Sequence, residues 1–480
     1  MYIWCMGQIA QKRKILSDVA KGELLWQKDT PPGEGVVVVC GTQPMNWLKE
    51  AGAVKKNASI KSLADTPISF EGRTFFATYD PYIVHREYER LPDMQWAMRL
   101  AKRFELTGST KPKLGDYRYV DSLADLFEHV EEEHERTGKR VPVSLDTETT
   151  GLNPYAEGGF IITLQVSYKD AQADILYFSG PSLPQPLVGE VDRLLNDQKI
   201  ALWGTNAKFD LHWIDVIWGL KCTNLTLDTT LLGSLLNENR INALEMHAKT
   251  YTSIGGYDTE LNQKYPKSQM VKVPRQDLLP YAGGDADAAR RVGKVFKKQL
   301  LEDSRLARFY VNLLHPGQLA FKEMERTGVL VDRAKLEGLS GELELESERL
   351  RKEIVDLLPA RLRNKHLSKL DTIKASLIAD FFFGRRGLHL KPKMLTQKTK
   401  QPATSLEHLR AFVDVPEAKE FLVRLENKSS VDKTKSTFVD GFLQHLRSDG
   451  RLHPTYLLHR GTYDNEDAGT VTGRLSAKDP

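Results

Sequence analysis

Three apolar runs follow one another between Val141 and Ser179 with no helical pattern between them: Val141–Asp146, Phe160–Tyr168 and Asp174–Ser179. Successive strands without an intervening helix suggest antiparallel pairing, because a parallel pair needs a crossover that is usually a helix. A three-stranded meander is therefore expected here. Beyond it the pattern changes. A loop with Pro181, Pro184 and Pro186 leads to a helix, a strand at Ile200–Trp203 and a second helix from Ala207. From about Leu279 to Thr327 the pattern is helical and continuous. Antiparallel strands followed by alternating helix and strand describe an α/β layer.

The flanks differ from this centre. Upstream, the loop signal Thr30-Pro31-Pro32-Gly33-Glu34-Gly35 precedes a buried-strand run, Val36-Val37-Val38-Val39-Cys40-Gly41, and a short helix around Met45 to Ala51. A strand at Thr74–Tyr79 and a helix from about Asp93 to Phe104 complete a small α/β unit, and Leu106 to Asp116 reads as a linker. Glu131-Glu132-Glu133 lies in an acidic helix, Ser122 to Thr137, as a solvated face. Downstream, Leu336, Leu339, Leu343, Leu350, Ile354 and Leu357 recur at helical spacing, which predicts a long helix packed on a partner. Residues 361–410 hold 12 Lys and Arg against 3 Asp and Glu, so a basic element hides behind a net charge of only +4. Such a surplus suits phosphate contacts.

A chain of 480 residues has room for about three domains. Its three cysteines, Cys5, Cys40 and Cys222, are too few and scattered for a disulfide framework or a zinc site. No apolar run is long enough to cross a bilayer, and the Lys12-Arg13-Lys14 cluster lies behind no cleavage-like site. An intracellular, cytoplasmic protein with no membrane partner is expected.

Three short motifs carry carboxylates. Asp146-Thr147-Glu148 ends the first strand of the meander, where the two-residue period points Asp146 and Glu148 to one face. Carboxylates side by side repel unless a cation lies between them. Asn206-Ala207-Lys208-Phe209-Asp210 enters a helix, with Asn206 suited to the N-cap and Asp210 one turn later. In Tyr281-Ala282-Gly283-Gly284-Asp285, the i, i+4 spacing puts the Tyr281 phenol and the Asp285 carboxylate on one helical face. Asp287 points elsewhere, toward solvent. Gly283 and Gly284 each cost about 1 kcal/mol of helix propensity, which fits close approach of another backbone or a loose helix start. Taken singly, each motif is equally a solvated strand end, an ordinary cap or a helix start.

In this order, 64 residues apart from Asp146 to Asp210 and a further 75 to Asp285, they resemble the motifs of the DEDD exonuclease superfamily. The tyrosine four residues before the last aspartate places them in its tyrosine subgroup. The resemblance implies a ribonuclease-H-like fold and two bound divalent cations. All-oxygen ligation favours Mg²⁺ or Mn²⁺ over zinc. By the same resemblance Asp146 bridges both ions, Glu148 and Asp285 complete the first, and Asp210 supports the second. Tyr281 and Glu148 then orient the attacking water. Leu152 falls where the family places an apolar wedge beside the terminal base, although a leucine after a turn is also ordinary core. Asn206 and Phe209 are the further DNA-contact candidates of this half.

Downstream, His315-Pro316-Gly317-Gln318-Leu319-Ala320, Met324-Glu325-Arg326-Thr327-Gly328-Val329 and Val331-Asp332 resemble the exonuclease–polymerase junction of family A DNA polymerases. Ser376-Leu377, the basic run Lys391 to Lys400 and Lys433-Thr434-Lys435-Ser436-Thr437-Phe438 resemble that family's thumb, as does Gly450-Arg451-Leu452-His453-Pro454. Thr470-Val471-Thr472-Gly473-Arg474-Leu475-Ser476 resembles the entrance to its palm. Lys433, Lys435, Ser436 and Thr437 are thus implied to hold duplex phosphates, and Arg474 to reach the primer–template duplex near its end. The palm aspartates and the fingers helix do not appear. Nucleotide incorporation is therefore expected to need a palm and fingers from beyond this sequence, as the rest of a truncated chain or as a second polypeptide. The N-terminal segments Val36–Gly41, Ala58–Leu63 and Thr78–Tyr82 resemble part of the uracil-DNA glycosylase superfamily, with Asp80 in place of that family's histidine.

The expected fold class is α/β. A small unit at 1–106 precedes a ribonuclease-H-like DEDD exonuclease domain at 117–310, and a mainly helical thumb with the start of a palm follows at 311–480. The implied function is metal-dependent 3'-5' exodeoxyribonuclease action, the proofreading part of DNA replication, in a bacterial or phage-infected cell. A DNA-binding subunit of a split polymerase and a stand-alone RNA-trimming exonuclease are the alternatives. Partners follow from this: a single-stranded 3' end at the carboxylates and duplex at the thumb.

Overall fold

The computed structural model describes residues 2–5, 25–27, 34–87, 90–239, 241–366, 372–396, 399–459, 469–470 and 473–478. The Lys12-Arg13-Lys14 cluster, residues 30–33, and Val471 and Thr472 of the palm-like motif lie outside the described residues. The chain divides into two compact units, Met1–Arg326 with Tyr456–Lys478, and Thr327–Thr455. No helix among the described residues is long and apolar enough to cross a membrane.

In the first unit, β1 (Tyr2–Cys5), β2 (Leu25–Gln27), β3 (Gly35–Cys40), β4 (Ile68–Phe70) and β5 (Arg73–Thr78) form a sheet in the order β2-β1-β3-β5-β4. Only the β4–β5 pair is antiparallel. The valine run of β3 is apolar on both faces because alternate residues feed two cores. Val36, Val38 and Cys40 pack with Trp96 and Leu100 of the Leu91–Thr107 helix, whereas Val37 and Val39 pack with Met45 and Leu48 of the Thr42–Glu50 helix. Asp80 caps the Pro81–Arg86 helix, its Oδ1 accepting from the Tyr82 amide at 2.9 Å. Sequence patterning missed β1, which is too short to show a period.

The second sheet of this unit contains β6 (Asp116–Tyr119), β7 (Val141–Thr149), β8 (Ile161–Ser167), β9 (Gln172–Tyr177), β10 (Ile200–Gly204) and β11 (Leu225–Asp228). Their order is β11-β10-β7-β8-β9-β6. The expected meander is β7-β8-β9, antiparallel throughout. Strands β10 and β11 extend it parallel to β7, and β6 adds a parallel edge beside β9. The two faces of β7 have different neighbours. Val141, Val143 and Leu145 enter a core with Leu126, Leu194, Leu211 and Ile214. The opposite face meets the Arg275–Glu302 helix, to which Ser144 is tied by its Oγ donating to the Ala286 carbonyl at 2.7 Å.

The two sheets are joined by arginines of the Leu91–Thr107 helix. Arg103 donates to the carbonyls of Gly255 at 3.0 Å and Ser253 at 3.1 Å, and Arg99 to that of Lys249 at 2.7 Å. Trp96 lies against Gly255 and Gly256, where any Cβ would meet the indole at 3.0 Å or closer. These contacts hold the loop at residues 252–258, which returns below.

In the second unit the Arg333–Asp356 helix packs on the Pro416–Lys433 helix. Of the leucine series expected to pack, Leu350 and Ile354 are buried but Leu339 is 40% exposed. The core sits at the C-terminal end of that helix, where Ile354 and Leu358 meet Phe381, Phe382, Phe412 and Phe421. Helical period alone does not say where along a long helix the partner begins.

Candidate active site

Carboxylate oxygens of Asp146, Glu148 and Asp285 lie within 4.8 Å of one another. Asp146 and Glu148 share the β7 face that meets the Arg275–Glu302 helix, and Asp285 comes from that helix. Thr147, between them, turns to the other face. There its amide and hydroxyl donate to Asp210 Oδ1 at 3.0 and 2.6 Å. The structure thus gathers three of the four expected carboxylates and holds Asp210 beside them, across the strand. Burial pushes the Asp210 carboxyl up to about 7.

Tyr281, one turn before Asp285, is buried with Ile162, Leu278 and Val273 around it. Burial, and then the neighbouring Asp285, Glu148 and Asp146, push its phenol well above the ordinary value. It therefore keeps its proton at neutral pH. The two glycines between the motif residues seat side chains, not another backbone. A Cβ on Gly283 would lie 2.5 Å from Tyr117 Cγ, and one on Gly284 would lie 2.3 Å from Tyr257 Cδ2. Each tyrosine then reaches an aspartate of the same helix, Tyr117 bonding Asp287 Oδ2 at 2.8 Å and Tyr257 bonding Asp285 Oδ1. Asp287 is accordingly buried, with Arg291 paired to it at 2.7 Å, and not in solvent as its helical position had indicated. Alanine's propensity gain of about 1 kcal/mol is smaller than the usual overpacking cost of about 1–3 kcal/mol. Gly283→Ala should therefore lower stability by about 1 kcal/mol net, read as a lower urea midpoint at unchanged slope.

The Ala207–Trp218 helix starts at Asn206, but the Asn206 side chain makes no cap bond, and the residue is exposed with φ of 52°. Asp228, at the end of β11, caps it instead. Its Oδ1 accepts from the Asn206 amide at 3.1 Å and its Oδ2 from the Ala207 amide at 2.8 Å. The same carboxylate caps the Thr229–Leu236 helix through Thr230 and Leu231, and accepts from Gln318 Nε2 at 2.5 Å. Asp228 went unread in the sequence; Asp228-Thr229-Thr230 carries the signal of a cap for its own helix, and nothing there signals a cap for a helix start 22 residues earlier in the chain.

Leu152 is 87% exposed, so it is not core. Phe209 is half-buried beside Trp213. In the second unit Lys433, Ser436 and Thr437 are exposed, whereas Lys435 is bound by Asp440 at 2.6 Å and Glu344 at 3.3 Å. A phosphate at Lys435 competes with two carboxylates. Arg474 is exposed in the first unit. Two residues near the carboxylates went unread in the sequence. Gln165 interrupts the apolar run of β8, a visible signal, and bonds Asp146 Oδ2 at 2.6 Å. Tyr257 carried no signal of its own; the glycine pair that admits it did. A cluster of three carboxylates with oxygen donors only fits a hard divalent cation.

Residues 117–301 match the family model described as 3'-5' exonuclease. The DNA polymerase of Escherichia phage T5 is 23% identical over 385 residues, covering 76% of this chain and 42% of the phage protein. DNA polymerase I of Rhizobium leguminosarum is 31% identical over 202 residues, 42% of this chain and 18% of that protein. The chain thus spans less than half the length of these curated relatives. Among solved structures, the POL domain of Pol1 from M. smegmatis, in complex with DNA primer-template and dNTP, superposes with a TM-score of 0.55 at 20% identity. That match covers 76% of this chain and 55% of the other and supports the shared fold. Residues 117–301 are therefore a 3'-5' exonuclease domain of the kind found in DNA polymerase I-like enzymes, and domains of this type are metal-dependent.

Proposed function

We propose that this 3'-5' exonuclease domain releases 5'-mononucleotides from single-stranded 3' ends of DNA, as the proofreading portion of a DNA polymerase I-like enzyme. The observation that carries this reading is the approach of Asp146, Glu148 and Asp285 to within 4.8 Å. Asp146, Glu148 and Asp285 are the residues that would hold one Mg²⁺ or Mn²⁺, and Asp146 with Asp210 a second. When bound, such ions supply an activated water at neutral pH and positive charge for the leaving 3' oxygen. The protein's own groups do the rest. Tyr281, protonated, orients the water by hydrogen bonding and does not take its proton. Glu148 accepts from the same water. The exposed Leu152 offers an apolar surface to the terminal base, with Asn206 and Phe209 near the strand's end.

The remaining parts are assigned in the same proposal. Residues 1–106 are assigned to a small α/β unit ahead of the exonuclease domain, and residues 311–480 to a thumb with the start of a palm. Lys433, Ser436 and Thr437, with Lys435, contact duplex phosphates, and Arg474 reaches the primer–template duplex near its end. The surplus of Lys and Arg at 361–410 favours this and keeps a second reading, a DNA-binding half whose palm and fingers come on another polypeptide. Co-purification of a chain that restores nucleotide incorporation would establish it.

The decisive assay follows a 5'-labelled single-stranded DNA with Mg²⁺ or Mn²⁺. Stepwise shortening from the 3' end, stopped by a chelator and restored by either ion, is the expected result. Shortening that survives chelation, or RNA ends degraded faster than DNA ends, overturns the proposal.

A further inference from the structure

The three clustered carboxylates do not position themselves. We infer that Gln165 and Tyr257 are positioning residues of the exonuclease site, two neutral donors that each hold one oxygen of a metal-facing carboxylate. The inference rests on the exonuclease reading above and goes beyond it in naming what sets the carboxylates' geometry.

Gln165 stands directly across from Asp146 in the β7–β8 register. It is fully buried, and its Nε2 donates to Asp146 Oδ2 at 2.6 Å. Amide nitrogen must be the atom facing the carboxylate, since the amide oxygen there would repel it. A glutamine directly across from Ile175 of β9, on the face of β8 turned away from the Leu164 and Val166 core, gains nothing from packing that leucine or methionine would not give. Tyr257 is buried against Gly284, and its hydroxyl donates to Asp285 Oδ1. Its ring fits only because residue 284 lacks a Cβ. The loop that carries it is braced from the N-terminal α/β unit by Arg103, through the carbonyls of Ser253 and Gly255.

Both donors are uncharged. An arginine or lysine in either place would neutralise the carboxylate and weaken its hold on a cation. An amide and a phenol fix its rotation and leave its charge in place. Partners of this kind, one bond behind the ligands, typically change metal affinity or activity by about tenfold to a hundredfold when removed.

The test compares the full chain with Gln165→Met and Tyr257→Phe, measuring Mn²⁺ binding by the loss of the free-ion EPR signal alongside the exonuclease rate against Mn²⁺ concentration. Each variant should bind Mn²⁺ about tenfold more weakly or worse, and recover most of its rate when Mn²⁺ is raised. A merely structural role would lower the melting temperature and leave Mn²⁺ affinity unchanged. Affinities within twofold of the parent in both variants overturn the inference alone. A parent chain that binds no Mn²⁺ overturns the exonuclease reading and the inference with it. Should Gln165→Met fail to fold, Tyr257→Phe, which deletes a single oxygen, decides the matter.

Discussion

Replacing Asp146 and Glu148 together by alanine is expected to lower 3'-terminal nucleotide release on the order of 10³-fold or more, because a bound divalent ion contributes several kcal/mol of charge stabilisation. The fold should survive. The two side chains share one face of β7 near its end, and the packing residues of that strand, Val141, Val143 and Leu145, are on the other. Thr147 remains, so Asp210 keeps the two bonds that fix it. In the absence of metal, carboxylates at 4.8 Å or closer repel, by roughly 3 kcal/mol per ionised pair at an effective dielectric near 20. Removing two of them relieves this repulsion and leaves the buried Gln165 amide without its acceptor at about 1–3 kcal/mol, so the melting temperature of the metal-free chain should stay close to the parent's or rise. The parent should gain stability with added Mn²⁺, and the double variant should not, since only binding to the folded state stabilises. Activity and metal-induced stabilisation are thus lost together, without loss of fold. Full exonuclease activity in the purified double variant would sink the assignment of these carboxylates.

Much of this was legible in the sequence, because the informative features are local. The two-residue period put Asp146 and Glu148 on one face, and the helical spacing put Tyr281 one turn from Asp285. The absence of helical segments between Val141 and Ser179 gave the meander. What stayed hidden depends on contacts between distant segments. Nothing near Asn206 shows that its helix is capped by Asp228, and nothing near Asp287 shows that Tyr117 and Arg291 bury it. The glycine pair at 283–284 announced a close approach but not its partners. Asp210 is instructive in the same way. Its place one turn into a helix was correct, yet whether its carboxylate joins the cluster depends on which face of β7 the helix packs against. Thr147, by pointing away from Asp146 and Glu148, decides that.

Asp228→Ala should be among the most destabilising single changes in the first unit, by about 4 kcal/mol or more. The carboxylate is fully buried and serves five donors: the amides of Asn206, Ala207, Thr230 and Leu231, and the side chain of Gln318. Each buried donor left without an acceptor costs about 1–3 kcal/mol, and loss of a helix cap alone costs about 0.5–2 kcal/mol. Relaxation at the two helix starts keeps these costs from adding in full. The amide of Asp228 itself donates to the Tyr310 hydroxyl at 2.8 Å, so backbone displacement here is felt on a further element. Asp228→Asn supplies a graded control. One oxygen remains for the amides now served by Oδ1, whereas the new NH₂ group faces the Ala207 amide as a donor against a donor, and Gln318 must turn its amide over to accept from it. Its loss should be about half that of the alanine variant. Urea unfolding of both variants, followed by fluorescence, measures the order. The consequence for catalysis travels through the Ala207–Trp218 helix. If its first turn frays, Asp210 loses its fixed approach to Thr147, and exonuclease activity should fall at temperatures where the chain is still folded. Alanine and asparagine variants that both stay within about 1 kcal/mol of the parent would show that Asp228 does not secure these helix starts.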